Sequence, residues 1–321
     1  MAADWTRMAL RAWADHAEVL ARLDAGADPN PAGRFTPPLH MAASHGSPEV
    51  VAELAGRVDD VEALHSSRSA LWLAVVAGRS DNARALVAAG ADPWRPVMAG
   101  WSAGRLGLAG PDPDLFARPD GEPGLSPSEA AEAAEAKRLI AALGTPAVEG
   151  FGFAFVAGID AAEAERRLRA VRLDVPGPIS DIVGGDPLDD GNLLVMGVTD
   201  VPGGCVVSQA WAFGPSMPGV VGRLSVGTTC FGLYANPKSG HQGTVAHDRV
   251  FGKRHLSPSS GPDLDDTPEE ALAAYLYQRH AVARCLARVG LRPTDARAVT
   301  GPPDAWLRLP AHDYWTWSEP V

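Results

Sequence analysis

The stretch Phe35-Thr-Pro-Pro-Leu-His-Met-Ala-Ala-Ser-His-Gly46 recurs further along the chain as Arg68-Ser-Ala-Leu-Trp-Leu-Ala-Val-Val-Ala-Gly78. Leu39 aligns with Leu71, which lies 32 positions later, and Gly46 aligns with Gly78 at the same interval. Leu23-Asp-Ala-Gly-Ala-Asp-Pro-Asn30 recurs two intervals later as Val87-Ala-Ala-Gly-Ala-Asp-Pro-Trp94. An internal period of roughly 20 to 50 residues indicates stacked structural repeats.

The residues within the period predict paired helices. Thr36 and Ser69 are placed to accept a backbone N–H at the start of a first helix. Gly46 and Gly78 are expected to end that helix in the left-handed conformation. Ser47, followed by Pro48 at the first helical position, starts the second helix.

In its order of Thr-Pro-Pro-Leu-His, mid-repeat glycine and Gly-Ala-Asp-Pro, this pattern resembles the ankyrin repeat. The clear or partial repeats cover about 5–30, 35–62 and 68–94, and a weak fourth covers about 100–118. The resemblance implies an all-α, ankyrin-like solenoid whose concave surface binds a partner protein.

Trp72 and Trp94 stand where small or polar residues are usual in the repeat. They either add to the packing or serve as aromatic contacts for a partner on the concave face. His40 is predicted to form a structural hydrogen bond.

From residue 149 the pattern changes to strands alternating with helices, which predicts an α+β domain after the solenoid. We therefore expect repeats over 1–125, a capping or bridging helix and linker over 126–148, and the α+β domain over 149–321. Ser126 and Glu129 have capping-box spacing at the start of the bridging helix. A second capping box, Thr267-Pro-Glu-Glu270, predicts the longest helix, which would run to Val289.

The second domain resembles an uncharacterised domain family that is common in actinobacteria. The resemblance depends on Phe153-Ala-Phe-Val-Ala-Gly-Ile, on Leu224-Ser-Val-Gly-Thr228 with the strand that ends at Asn236, and on the Gly-Leu-Arg-Pro of the C-terminal helix. This resemblance implies no activity and no catalytic residue.

Candidate catalytic groups concentrate between residues 240 and 255. On an extended chain His241 and His247 share a face, and Asp248 points the other way. With His255 these groups would form a three-histidine metal site or a His/Asp acid–base pair. The alternative is a polar hairpin with exposed histidines.

Three other features carry weaker hypotheses. The acidic loop could hold a divalent ion, although solvated side chains are the simpler interpretation; it contains Asp181, Asp186, Asp189 and Asp190. Cys205 and Cys230 are expected to be buried, inert thiols, and the alternative is a nucleophile that acts with one of the histidines. With Cys285 the chain has three widely spaced cysteines, which argues against a disulfide framework. Trp315 and Trp317 in the aromatic C-terminal stretch could pack on the domain or line a binding site.

The composition excludes several classes of protein. The formal net charge is −11 and no basic block occurs, which argues against nucleic acid as a partner. No apolar run is long enough to cross a membrane, and the N-terminus lacks the pattern of a signal peptide, so a cytoplasmic protein is expected. No phosphate-binding loop or dinucleotide fingerprint occurs, and we predict neither a cofactor nor a bound metal.

Two functions remain open. The first is an adaptor that binds a partner protein through the repeats and carries a C-terminal recognition or regulatory domain. The second is an enzyme, of specialised metabolism for instance, with a small-molecule site near His241, His247 and His255. Self-association into a homodimer is a third possibility. Because the stack is short, residues 1–125 alone are expected to be poorly stable.

Overall fold

The computed structural model describes residues 4–6, 8–31, 33, 35–174, 193–252, 258 and 260–316. The helices are α1 (His16–Asp24), α2 (Pro38–His45), α3 (Pro48–Ala55), α4 (Ala70–Val76), α5 (Ser80–Ala88), α6 (Ala103–Gly107), α7 (Pro127–Leu143), α8 (Ala161–Leu168), α9 (Pro218–Leu224), α10 (Pro268–Leu276), α11 (Ala281–Arg288) and α12 (Arg297–Thr300). Short 3₁₀ helices cover Leu10–Ala14 and Gly214–Ser216.

The strands are β1 (Pro96–Met98), β2 (Trp101–Ser102), β3 (Gly152–Ala157), β4 (Val171–Leu173), β5 (Val195–Val201), β6 (Gly204–Gln209), β7 (Thr229–Asn236), β8 (Gly240–His247), β9 (Val250–Phe251) and β10 (Ala305–Arg308). The chain forms two compact units. The first comprises Met1–Ala133 and Gly261–Leu276, and the second comprises Ala134–Ser260 and Tyr277–Val321.

The first unit contains the helical pairs α2/α3 and α4/α5, each made of a first and a second helix of one repeat. Ser47 and Ser69 accept the backbone N–H three residues later, as the sequence predicts. Thr36 does not cap α2: the helix begins at Pro38 behind Pro37, which has no capping side chain. The prediction for Thr36 was wrong because the cap position is one residue further on, at Pro37, and Pro38 takes the first helical position.

The two repeat glycines have different roles. Gly78 has φ +67°, as a left-handed position after a helix requires. Gly46 has φ −82°, so the prediction of a left-handed Gly46 was wrong. A Cβ at Gly46 would lie 2.7 Å from the carbonyl oxygen of Ala42 and 3.0 Å from that of Trp13. Gly46 is therefore required by close backbone approach.

The first unit is mainly helical but not all-α. β1 and β2 form a two-stranded antiparallel ribbon, and His65 and Arg68 form an isolated β-bridge in the preceding loop. The core runs through the successive repeats and includes Trp13, Leu54, Trp72 and Trp101. Small residues such as Ala42 lie in this core and allow the helices to approach.

The segment Gly261–Leu276 packs in the first unit, although it follows most of the second unit in sequence. It contains α10, whose Ala271, Leu272 and Tyr275 belong to the core of the repeats. The Thr267/Glu270 capping box forms as predicted, with bonds of 3.0 and 3.2 Å.

The single long helix predicted from Thr267 to Val289 was wrong. α10 ends at Leu276 and α11 begins at Ala281, with Arg279 between them at φ +66°. The apolar spacing explains the break: Leu272 and Leu276 are four apart, but Val282 follows six residues after Leu276. A six-residue step leaves the apolar face of a helix that has 3.6 residues per turn.

The second unit is rich in sheet. Its antiparallel sheet has eight strands among the described residues, in the order β4-β10-β5-β6-β3-β7-β8-β9. One side of the sheet contributes Ala154, Val156 and Val207 to a core that it shares with α8 and α9. The other side carries Phe151, Phe153 and Phe155, whose rings stack with centroid separations of 5.8 and 5.6 Å.

Candidate functional site

Three loops of the first unit share the same turn at the 32-residue period. Asp28, Asp60 and Asp92 each accept a hydrogen bond from the backbone N–H two residues later, at 2.8 Å in all three cases. Such Asx turns fix the loop backbone locally. We call the described residues of 26–36, 56–67 and 89–95 the repeat loops.

Neighbouring repeat loops are also joined to one another. The Asn30 side-chain oxygen accepts the Asp59 N–H at 3.0 Å. One repeat later, the Glu62 carboxylate accepts the Asp92 N–H at 2.5 Å and pairs with Arg95 at 3.0 Å. Residues 30 and 62 are 32 apart, so the side chain at the equivalent position of each repeat accepts a backbone N–H from the next repeat loop. The repeat loops therefore form an ordered row.

Two large apolar side chains are exposed on this row. Phe35 is 70% exposed and Leu64 is 51% exposed. Exposed apolar side chains on an ordered surface are typical contact residues for a partner protein.

The two predicted tryptophan contacts are less accessible than Phe35 and Leu64. Trp72 is 1% exposed, so it belongs to the core and leaves no ring face for a partner. Trp94 is half-buried: its Nε1 donates to the Ala117 carbonyl at 3.2 Å, and its ring would meet a Cβ on Gly104 at 3.1 Å. His40 forms the structural bond that the sequence predicts, at 3.0 Å to the Arg68 carbonyl.

The returning segment Gly261–Leu276 contacts equivalent positions of two repeats. Arg68 and Trp101 each precede the serine that caps the next helix, Ser69 or Ser102. Arg68 donates to the Pro262 carbonyl at 3.0 Å, and the Trp101 indole donates to the Pro268 carbonyl at 2.9 Å. The start of each of these repeats is therefore occupied by the protein's own chain.

The predicted histidine cluster lies partly on β8. His241 and His247 are six residues apart on this strand, which corresponds to about 20 Å. His247 is exposed and its Nδ1 lies 2.9 Å from the Thr229 hydroxyl. Asp248 accepts the Gly227 N–H at 2.8 Å in the turn after the strand.

His241 is therefore far from His247 and Asp248. His255 lies outside the described residues, so the three-histidine metal site and the His/Asp acid–base pair that would include it stay predictions. Within the described part of the chain, no group of three His, Cys, Asp or Glu side chains is arranged to hold a metal ion.

His241 instead lines a cavity of about 600 Å³ in the second unit. The end of α7, the loop after it and the start of α11 form most of the wall, and Trp211 and Phe151 complete it. Burial lowers the pKa of His241, and the Glu149 charge partly offsets this effect. Burial and then the Arg279 charge lower the pKa of His280, which also lines the cavity.

Sequence reasoning did not identify Trp211, Arg279 or His280. Trp211 follows the buried strand β6 and is 59% exposed, which is unusual for a tryptophan. The sequence feature that could have located Arg279 and His280 is the six-residue gap between the apolar residues Leu276 and Val282, because it marks the break between two helices.

A second cavity of about 500 Å³ involves the C-terminal aromatic stretch. Trp315 is 63% exposed, with its ring centroid 4.9 Å from that of Phe213, and both line this cavity with Tyr234. Trp317 lies outside the described residues, as does the acidic loop with Asp181, Asp186, Asp189 and Asp190.

The three cysteines are buried and free. Burial raises the pKa of the Cys205 thiol to about 12, and it also raises the pKa of Cys230 and of Cys285. A thiol with a raised pKa is a poor nucleophile, so these groups do not suggest cysteine chemistry.

Comparison with known families identifies the repeats. Residues 8–96 match the family model for ankyrin repeats (3 copies). Three ankyrin repeats, a protein–protein interaction module, are therefore present at the N-terminal end, followed by a region of strands and helices. No curated protein matches the chain. Among the described residues no helix is both long and apolar enough to span a membrane.

Proposed function

We propose that this chain is an adaptor that binds a partner protein through its ankyrin repeats, and that its second unit is a recognition or regulatory domain. The observation that carries the proposal is the ordered row of repeat loops within the three repeats. Stacked repeats offer extended surfaces on which many residues contact one partner. A surface held by its own hydrogen bonds loses little conformational entropy on binding.

The returning segment limits where that partner binds. Arg68 and Trp101 at the repeat starts are engaged by Pro262 and Pro268, whereas Phe35 and Leu64 remain exposed. We therefore assign the partner surface to the repeat loops around Phe35 and Leu64. Apolar contacts there would be framed by the exposed carboxylates of Asp59 and Asp60.

The test is a quantitative capture of partners by the full chain and by a double variant, Phe35→Ser with Leu64→Ser. We expect the double variant to lose a partner that the native chain retains. The matched control is Val250→Ser in the second unit, because Val250 is 73% exposed and apolar. The control should retain the partner.

A partner that binds the double variant as strongly as the native chain contradicts the assignment of the surface. Sedimentation of the purified native chain and of the double variant separates capture of a foreign protein from self-association. A dimer that the double variant dissociates would identify a second copy of this chain as the partner.

A further inference from the structure

The cavity beside His241 has the size and lining of a small-molecule site. Its volume of about 600 Å³ lies within the range of roughly 300 to 1,000 Å³ typical of ligand pockets. Ile140, Leu143 and Val282 contribute apolar side chains to the wall. A mainly apolar wall with a few polar groups is the usual composition of such sites.

One wall presents an aromatic ring in a fixed position. Trp211 has φ +56°, a conformation that costs free energy for a residue with a side chain. Its ring lies over Gly150, where a Cβ would come within 2.9 Å of the indole. Trp211 as a whole is nevertheless 59% exposed, which leaves part of its ring available for contact with a planar ligand.

Another wall carries a guanidinium group. Arg279 lines the cavity, lies in the break between α10 and α11, and forms no ion pair with any residue that the structure describes. His241 and His280 add two imidazoles, and Glu149 is the one carboxylate among the described lining residues. A guanidinium binds carboxylate, sulfonate or phosphate oxygens in pairs.

From these walls we propose that the cavity binds a small molecule that combines an aromatic ring with an anionic group. The ring stacks on Trp211 and the anionic group pairs with Arg279. The first turn of α11 also lines the cavity, and the N-terminal end of a helix favours a nearby negative charge. This site is independent of the repeat loops and goes beyond the adaptor function.

The probes are 8-anilinonaphthalene-1-sulfonate and N-phenyl-1-naphthylamine, which share their rings but differ in the sulfonate. Fluorescence titration of the full chain should show saturable, one-to-one binding of the sulfonate and weaker binding of the neutral probe. Arg279→Gln should weaken binding of the sulfonate about tenfold or more, because a charge-assisted bond is lost. It should leave the affinity for the neutral probe nearly unchanged.

Trp211→Ala should weaken the binding of both probes. Two control variants keep their affinity: Trp315→Ala, at the exposed tryptophan of the other cavity, and Arg308→Gln, at an exposed arginine of β10. Thermal melts of all four variants show whether each is folded. The proposal fails if the sulfonate does not bind saturably, or if folded Arg279→Gln and Trp211→Ala variants bind it as the native chain does. It also fails if Trp315→Ala alone abolishes binding.

Discussion

Replacing Leu272 by alanine tests whether α10 is a structural part of the repeat unit. Leu272 is 3% exposed in the core that contains Trp101 and Leu106. Truncating a buried leucine removes transfer free energy and leaves a cavity, at a total cost of about 3 kcal/mol. Where exchange follows the opening equilibrium, that loss raises the hydrogen-exchange rate of the best-protected amides about 150-fold. We expect the increase in residues 8–110.

Hydrogen-exchange mass spectrometry of the full chain measures this directly. Glu269→Gln is the control, because Glu269 is exposed on the same helix and its substitution should change exchange little. An unchanged exchange rate in residues 8–110 of the Leu272→Ala variant would refute the reasoning. An increase confined to residues 134–252 would do the same, since α10 would then stabilise the other unit.

Three further predictions concern the repeats, and urea unfolding of the full chain checks each of them. Asn82→Ala should lower the free energy of unfolding of this unit by about 2 kcal/mol, because the buried Asn82 amide donates to three backbone carbonyls at 3.0 to 3.2 Å; the prediction fails if the midpoint does not move. Gly46→Ala should destabilise more than Gly78→Ala, since only Gly46 has backbone oxygens within 3.0 Å of the added Cβ; equal losses would contradict this. Burial lowers the pKa of His40 in the folded chain, so as the pH falls His40 is protonated in the unfolded chain before it is protonated in the folded chain. Stability should therefore be lost below about pH 6.5, and His40→Gln should reduce that loss relative to the native chain.

Much of the repeat unit was predictable from local sequence. Ser47, Ser69 and the Ser126/Glu129 capping box act as predicted, because a cap depends on residues within one helical turn. The Gly46 prediction failed, and the close approach of Gly46 to the carbonyl of Trp13, which is distant in sequence, could not be read from the local pattern. The domain boundaries that we predicted are 1–125, 126–148 and 149–321, and they stay a prediction. The structure itself divides the chain into two compact units.

The candidate sites were harder to predict. The period-two pattern placed His241 and His247 on one strand, but it gave no information on which elements cover each of them. The cavity beside His241 is built from residues 140–151, 211 and 279–283, which are far apart in sequence. Only the tertiary fold brings these residues together, and no local motif encodes such a site.

The order in which the chain is made also bears on the returning segment. Domains of a growing chain generally fold as units, the N-terminal one first. Here the core of the first unit includes Leu272 and Tyr275, so the repeats lack part of their core until α10 has left the ribosome. By then residues 134–260 have already been synthesised. The repeat unit therefore begins its synthesis first but is completed only after most of its neighbour has emerged.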